Sequence, residues 1–364
     1  MTFAIMQSPR HRRVYLEQAG VIAANELIFM GRGLSRLITD VREEYIGGVP
    51  YILFKLDNAL TPKDIRLLSR LSFTHALFEV QGKLLLPIEK DCGYFIDEDI
   101  SAILKYSGKT NELFTRLMLN LALAELSAAS KPSKSTALPK SNPIDEPLRL
   151  LDPMAGKGTT LYEGLMQGLD VYGIEIDPKP PYESYVYIKK HLEMARYKHT
   201  SHTEKTSGTD ATGSKFTATR YQVEMSPTKE EQKSGNTRRF EMIAGDTRNA
   251  NAFHKKNFFH AIVTDLPYGV QHGAKKKPPT HGREGGLTRN ALGLISEAMP
   301  GWVKVLKPGG VVVLAWNLFL ISREQMEQLF ADNGLTISEE MAELDFSHRL
   351  DQATNRDLII GVKH

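Results

Sequence analysis

The sequence has little cysteine and no long apolar run, and each of these features excludes a class of protein. A single cysteine, Cys92, among 364 residues excludes a disulfide framework and a cysteine-rich zinc site. No apolar stretch approaches the roughly 20 residues of a membrane-spanning helix. The opening residues, MTFAIMQSPRHRR, become charged too soon for a secretory signal. We therefore expect a cytoplasmic protein with no membrane anchor and no bound metal.

A large excess of charge of either sign is also lacking. The net charge is +3, which permits an anionic partner without requiring one. Hydrophobic residues make up 41% of the chain, enough for a sizeable core. The length predicts two or three domains.

Changes in composition along the chain predict its domain organisation. Residues 1–105 combine apolar, helix-starting and β-prone segments and predict a small α+β domain. Residues 106–364 carry the motifs described below and predict a second domain. Within it, the segments near 127–147 and 197–239 are rich in polar residues and predict flexible stretches, with at most one strand at 217–223.

The most informative stretch is a buried strand followed by Asp265, Leu266, Pro267 and Tyr268. Pro267 cannot continue a central strand, so these residues lie at the carboxyl end of the strand, where parallel sheets bind ligands. A carboxylate and an adjacent carbonyl can hold both N–H groups of an exocyclic amine and free its lone pair, while an aromatic ring stacks the base. The pattern is typical of methyl transfer to a nucleobase amine. An ordinary strand ended by a proline turn is the alternative.

A glycine-containing loop joins another strand, at residues 148–151, to a helix ending near Gly168. Lys157 is followed by glycine, which excludes a P-loop, and Leu161 occupies the third glycine position of a dinucleotide fingerprint. A close backbone approach at a helix N-terminus suits S-adenosylmethionine instead. The candidate cofactor contacts are the loop residues Asp152, Met154, Ala155, Gly156, Gly158, Thr159 and Thr160.

Acidic residues end the next two strands of the predicted sheet. The strand at residues 170–177 ends in Glu175 and Asp177, and an acid in this place typically receives ribose hydroxyls. The strand at residues 240–244 is followed by Asp246 and Thr247, and Asp246 is placed to accept the adenine amine. For Asp177 and Asp246, a solvated carboxylate at a strand end is the alternative.

Together these motifs resemble Rossmann-like S-adenosylmethionine-dependent methyltransferases that act on amino groups of nucleic-acid bases. The closer resemblance is to RNA guanosine-N2 methyltransferases, whose tRNA members often carry a THUMP domain. It covers residues 109–364 and rests on the loop 152–160, the helix before it and the sequence Asp-Leu-Pro-Tyr. That family usually has proline where this chain has Leu266, a position whose role rests on a backbone carbonyl. Residues 1–105 show no recognisable THUMP pattern.

The resemblance implies an α/β fold with a Rossmann-like class I methyltransferase sheet. Residues 1–105 are expected to form a smaller α+β N-terminal domain, which is large enough to hold RNA away from the reacting base. The resemblance also implies S-adenosyl-L-methionine as cofactor, Glu175 as the ribose acid, Asp246 as the adenine acid, and guanosine N2 in tRNA as the target. The basic loop after Tyr268 predicts substrate phosphate contacts by Lys275, Lys276, Lys277 and Arg283. The alternatives are a DNA adenine-N6 or cytosine-N4 methyltransferase and a non-catalytic RNA-binding or assembly factor with the same fold.

Overall fold

The computed structural model describes residues 1–9, 13–102, 111–129, 146–210, 213–267 and 291–364. These residues form two sheets with helices packed on them. None of the described helices is long and apolar enough to cross a membrane.

The first sheet is antiparallel and has the strand order β2-β3-β1-β4-β5. Its elements follow the β-α-β-β-α-β order of ferredoxin-like domains with one strand added: β1 (Thr2–Gln7), α1 (Arg13–Gly31), β2 (Thr39–Ile46), β3 (Val49–Lys55), α2 (Pro62–Ser69), β4 (Thr74–Gln81) and β5 (Leu84–Ile88). Thr61 caps α2, because its hydroxyl accepts from the Asp64 N–H and the Asp64 carboxylate accepts from the Thr61 N–H. The sequence predicts the α+β class, but not β1 or β2.

The second sheet contains the remaining strands, with helices between them. Its elements and those leading to it are α3 (Asp99–Ala102), α4 (Glu112–Ala129), β6 (Arg149–Asp152), α5 (Thr159–Met166), β7 (Asp170–Glu175), α6 (Lys179–Met194), β8 (Lys198–Thr209), β9 (Lys215–Ser226), α7 (Lys229–Lys233), β10 (Arg238–Ala244), α8 (Ala250–Phe253), β11 (Phe259–Asp265), α9 (Ala291–Val305), β12 (Leu306–Asn317), α10 (Arg323–Asp332), β13 (Leu335–Ile337), α11 (Glu339–Glu343), β14 (His348–Arg349) and β15 (Asn355–Lys363).

The strand order of this sheet is β13-β15-β12-β11-β6-β7-β10-β9-β8. Five neighbouring strands, β12 to β10, are parallel. The chain runs outward from β6 through β7 to β10 and then returns to β11 on the other side of β6. This reversal leaves a crevice at the carboxyl ends of β6 and β11, where open parallel sheets bind their ligands. The Rossmann-like sheet expected from the sequence is confirmed.

The segment near residues 197–239 is not the flexible stretch that its composition predicts. It forms β8, β9 and α7, and the hairpin of β8 and β9 extends the sheet beyond β10. Val223 and Met225 of β9 are buried in the same core as Ile188 of α6. No residue of β8 is buried. The prediction was wrong because β8 is held by backbone pairing with β9, which apolar content does not reveal.

Local sequence explains where two of these elements begin and end. Helix α6 begins at Lys179, because prolines such as those at 180 and 181 fit the first turn of a helix. Strand β13 ends at Ile337, and Ser338 leads into α11. In the segment near 127–147, α4 continues to Ala129, and residues 130–145 lie outside the described residues.

Helix α4 joins the two sheets, since it packs on β11 and β12 and also on α1. Glu26 of α1 is fully buried at this junction. Its carboxylate accepts from the N–H and hydroxyl of Ser72 and, at 2.7 Å, from Nδ2 of Asn120 in α4. Burial raises the pKa of Glu26, against the opposing effect of these hydrogen bonds. The ferredoxin-like sheet is therefore fixed on the larger sheet by shared core and by buried hydrogen bonds.

Candidate active site

The glycine loop lies at the carboxyl edge of the sheet, between β6 and α5. Gly156 and Gly158 have φ angles of +51° and +85°, a region that favours glycine. The Ala155 N–H donates to the Ile174 carbonyl at 3.0 Å, which places the loop over β7. Gly173 makes this possible, because a Cβ there would lie 2.9 Å from the Cβ of Ala155. The backbone is thus shaped for close approach to a ligand at the start of α5.

Asp152 ties this loop to the neighbouring strand. Its side chain is buried, and its Oδ1 accepts from the Met154 N–H at 3.0 Å and from the Thr264 hydroxyl at 2.7 Å. Burial raises the pKa of Asp152 to about 6, and the nearby charge of Asp265 acts in the same direction. Asp152 therefore connects the loop to β11, the strand that carries Asp265.

Glu175 lies at the carboxyl end of β7, beside the loop. Its two carboxylate oxygens accept from the N–H groups of Gly156 and Asp177, each at 3.0 Å. Burial raises the pKa of Glu175 despite these hydrogen bonds. The next residue, Ile176, is 71% exposed, which is unusual for a large apolar side chain. A fixed carboxylate can accept ribose hydroxyls, and an exposed apolar side chain can pack on a base, so the pair suits a nucleoside.

Asp246 follows β10 and caps a short 3₁₀ turn at Thr247–Asn249. Its carboxylate accepts from the backbone and guanidinium of Arg248, whose Nη2 lies 2.6 Å away. Burial raises the pKa of Asp246, but the hydrogen bonds from Arg248 outweigh burial and leave the pKa below its usual value. The Thr247 hydroxyl accepts from the Trp302 indole at 2.9 Å. A ligand amine at Asp246 would therefore share this carboxylate with Arg248.

Asp265 ends β11, across the crevice from the glycine loop. Its Oδ2 lies 3.2 Å from Nη2 of Arg356 on β15, and the side chains are only 8% and 5% exposed, respectively. The Arg356 guanidinium also lies 4.1 Å from the ring centre of Phe114 in α4. A buried carboxylate held by an arginine that is itself stacked on an aromatic ring has a fixed orientation.

Leu266 is more than a replacement for proline. Its N–H donates to the Ala315 carbonyl at 2.9 Å, which proline could not do, and its side chain is buried in the core. Pro267 follows at the end of the described stretch. This backbone hydrogen bond thus fixes Leu266 at the point where the chain leaves β11.

The structure brings most of the sequence-derived candidates to one edge. The residues after β6, β7, β10 and β11 all lie at the carboxyl edge of the parallel sheet. Thr159 and Thr160 are buried at the start of α5, and Met154 packs partly against the core. Five candidates lie outside the described residues: Tyr268, Lys275, Lys276, Lys277 and Arg283.

Sequence reasoning missed Ile176 and Arg356. The signal for Arg356 was present, since an arginine at the start of the apolar strand β15 needs a buried partner. Its partner, Asp265, lies 91 residues away in the chain, so only the fold identifies the pair.

Comparison with protein families adds the chemistry. Residues 127–280 match the family model described as UPF0020, the RMKL-like methyltransferase domain. The chain contains a methyltransferase domain. This domain is of the S-adenosylmethionine-dependent class, with S-adenosyl-L-methionine as its cofactor. The match covers less than half of the chain and ends within the basic loop after Tyr268. Among curated proteins, no sequence matches this chain.

Solved structures share only a distant likeness with the chain. Magnesium protoporphyrin IX methyltransferase from Synechocystis PCC 6803 is 11% identical, with a TM-score of 0.37 over 73% of this chain and 90% of that one. An rRNA methylase from Streptococcus thermophilus is 12% identical, with a TM-score of 0.30 over 60% and 88%. P. horikoshii TYW2 is 12% identical, with a TM-score of 0.33 over 79% and 71%. At these values, the family match and the strand order characterise the methyltransferase domain better than any single neighbour.

Proposed function

We propose that this methyltransferase transfers a methyl group from S-adenosylmethionine to the exocyclic N2 of guanosine in tRNA. The observation that carries the proposal is the position of Asp265. A buried, oriented carboxylate stands at the carboxyl end of β11, next to β6 and its glycine loop, with Leu266 directly after it. This arrangement supports a reaction in which an amine is held beside the cofactor.

In this reaction the carboxylate of Asp265 and the carbonyl of Leu266 accept the two N–H groups of the target amine. Its nitrogen lone pair, drawn out of conjugation, attacks the methyl carbon in line with the departing sulfur. A nitrogen–carbon bond forms, and the carbon–sulfur bond breaks with its electron pair staying on sulfur. The amine then loses one proton to Asp265 or to water. Positioning and the two acceptors supply most of the catalysis.

The cofactor is proposed to lie across the carboxyl ends of β6, β7 and β10. Glu175 would accept the ribose hydroxyls, Ile176 would pack on the adenine ring, and Asp246 would accept the adenine amine. The exposed side chain of Ile176 and the hydrogen-bonded carboxylate of Glu175 support this placement. Arg248 would then keep part of its contact with Asp246 or move towards Glu297, which it already contacts at 2.8 Å.

The choice of RNA rests on the domain organisation and on the resemblance described above. A target base must leave its stack to reach this edge, so the rest of the RNA needs a separate binding surface on the protein. The ferredoxin-like sheet is a second domain fixed on the methyltransferase domain through α1 and α4. We propose that it recognises RNA, together with the lysines at 275–277 and Arg283.

The deciding experiment is mass spectrometry of nucleosides from tRNA, rRNA and duplex DNA after incubation with the enzyme and isotopically labelled cofactor. Labelled N2-methylguanosine from tRNA is the expected product. Labelled N6-methyladenine or N4-methylcytosine from DNA, with RNA unlabelled, would replace the proposal with a DNA methyltransferase. Cofactor binding with no labelled product in any nucleic acid would favour a non-catalytic factor.

A further inference from the structure

A group of cations lies at the amino edge of the large sheet, opposite the candidate active site. We call Arg149, Lys255, Lys256 and Lys307, with Phe258, the amino-edge surface. Arg149 begins β6, Lys255 and Lys256 precede β11, and Lys307 lies at the start of β12. Lys255 and Lys256 are exposed, and the other residues are half-buried.

The charges of this surface repel one another. Burial lowers the pKa of Lys307, and the nearby cations Arg149 and Lys255 lower it further. Two described carboxylates face Arg149: Glu146 pairs with it at 2.7 Å, and Asp170 lies opposite it on β7. Like charges held together in this way are stabilised by an anionic partner.

The half-buried side chain of His260 contacts two of these cations. Nδ1 of His260 accepts from the Arg149 N–H at 2.9 Å, so Nε2 of the neutral ring carries the hydrogen. Nε2 lies 2.7 Å from Nζ of Lys307, within hydrogen-bond distance. Burial and the charges of Lys307 and Arg149 lower the pKa of His260 to about 4. At 2.7 Å these two nitrogens share a hydrogen bond, which leaves the other hydrogens of the Lys307 amino group for an acceptor beside it, such as a phosphate oxygen.

An aromatic surface accompanies the cations. The Phe258 ring centre lies 4.6 Å from the Arg149 guanidinium and 5.4 Å from Nζ of Lys255. A cavity of about 250 Å³ opens beside it, lined among others by the rings of Phe253 and Phe258, the cations Arg239 and Lys255, and the carboxylate of Glu241. Cations interleaved with aromatic rings are the arrangement that binds nucleic-acid backbone and stacks bases.

We propose that the amino-edge surface binds the phosphate backbone of an RNA, at a site separate from the catalytic edge. The inference rests on the proposed function, since it assigns a second contact to the same RNA. Strand β11 has seven residues, so the two edges are about 20 Å apart. An RNA that touches both must therefore extend well beyond the reacting nucleotide, as a folded tRNA does.

The test reverses the two exposed charges in the full-length protein, Lys255→Glu with Lys256→Glu. A matched control, Lys190→Glu with Lys205→Glu, makes the same charge change at exposed positions of α6 and β8. The binding of unfractionated tRNA is measured over a range of salt concentrations, and cofactor binding is measured by calorimetry. For the amino-edge variant we expect tRNA affinity to fall at least tenfold near physiological salt, and the log–log salt slope to flatten by about 1 to 2. Cofactor affinity should not change.

The outcomes distinguish a failure of the amino-edge surface from a failure of the proposed function. An unchanged salt slope in the amino-edge variant, or an equal loss in the control variant, overturns the surface proposal even if labelled N2-methylguanosine forms in tRNA. Absence of tRNA binding by the wild-type protein overturns it as well. If the amino-edge variant loses tRNA binding but the labelled product is a DNA base, the surface stands as an RNA contact and the proposed substrate is wrong. Ultraviolet crosslinking of bound tRNA to the peptide that contains Phe258 gives independent support.

Discussion

At the scale of single residues, the catalytic assignment depends on Asp265. We expect Asp265→Asn and Asp265→Ala to abolish detectable methyl transfer, because the substrate amine loses its anionic acceptor. Cofactor affinity should stay within a few-fold, since Asp265 addresses the substrate. Arg356 loses a buried partner in either variant, so a thermal melt must accompany the turnover assay. The asparagine variant keeps an acceptor for Arg356 and is the safer test of folding. Near-normal turnover in a folded variant would contradict the assignment.

Two other acids, Glu175 and Asp246, are expected to act on the cofactor. Glu175→Ala and Asp246→Ala should each weaken S-adenosylmethionine binding by about 1–3 kcal/mol, the value of a lost charge-assisted hydrogen bond. Calorimetry measures the two dissociation constants. Arg248→Ala is the matched control, because it removes the competitor for Asp246 and leaves the carboxylate in place. Unchanged dissociation constants in both acidic variants would mean that the cofactor lies elsewhere.

Asp152 gives a residue-scale prediction about pH. Its folded-state pKa of about 6 lies above the ordinary value of 3.8, so protonation favours the folded state. That contribution is complete below about pH 4 and is lost as the pH rises through about 6. We therefore expect the wild type to lose stability between these pH values by on the order of 2–3 kcal/mol more than Asp152→Asn does. Thermal midpoints of the two cofactor-free proteins, compared over this range, provide the test, and parallel profiles would contradict it.

At the scale of elements, the hairpin of β8 and β9 has the clearest consequence. Its strands are paired along their whole length, and β9 is also paired with β10. We expect the backbone amides of β9 to exchange slowly in hydrogen–deuterium exchange, and those of the outer strand β8 to exchange faster. Met225→Ala should destabilise the protein by about 2–4 kcal/mol, because this side chain is buried, whereas Thr217→Ala on the same strand should have little effect. Uniformly fast exchange over residues 198–226 would contradict the hairpin and support the flexible segment that composition predicts.

At the scale of the whole molecule, the two sheets are expected to unfold together. Glu26, Ser72 and Asn120 form a buried network between them, and α4 packs on both halves. Calorimetry of the full chain should show one cooperative transition. Glu26→Ala should lower its midpoint, because the donors of Ser72 and Asn120 lose their acceptor. Two separate transitions in the wild type would show that the domains are independent and would make a deletion of the first domain a fair test of RNA binding.

The sequence by itself determined the class of the fold and the edge of the sheet that carries the site. Apolar runs of strand length that end in Asp152, Glu175 and Asp265 have a local signature, because a parallel strand must be buried and must leave the sheet where the polar residues begin. The cap at Thr61 is local in the same sense. These features depend on neighbours in the chain, which a sequence displays directly.

Only the tertiary structure decided the partners that lie far apart in the chain. The pairing of Arg356 with Asp265, the contact of Glu26 with Asn120 and the hydrogen bond from Thr264 to Asp152 each join residues more than 90 positions apart. The hairpin of β8 and β9 and the cations of the amino edge depend in the same way on strand order. The physical reason is that burial and electrostatic interaction depend on distance in space, which the topology of the sheet sets and local sequence does not.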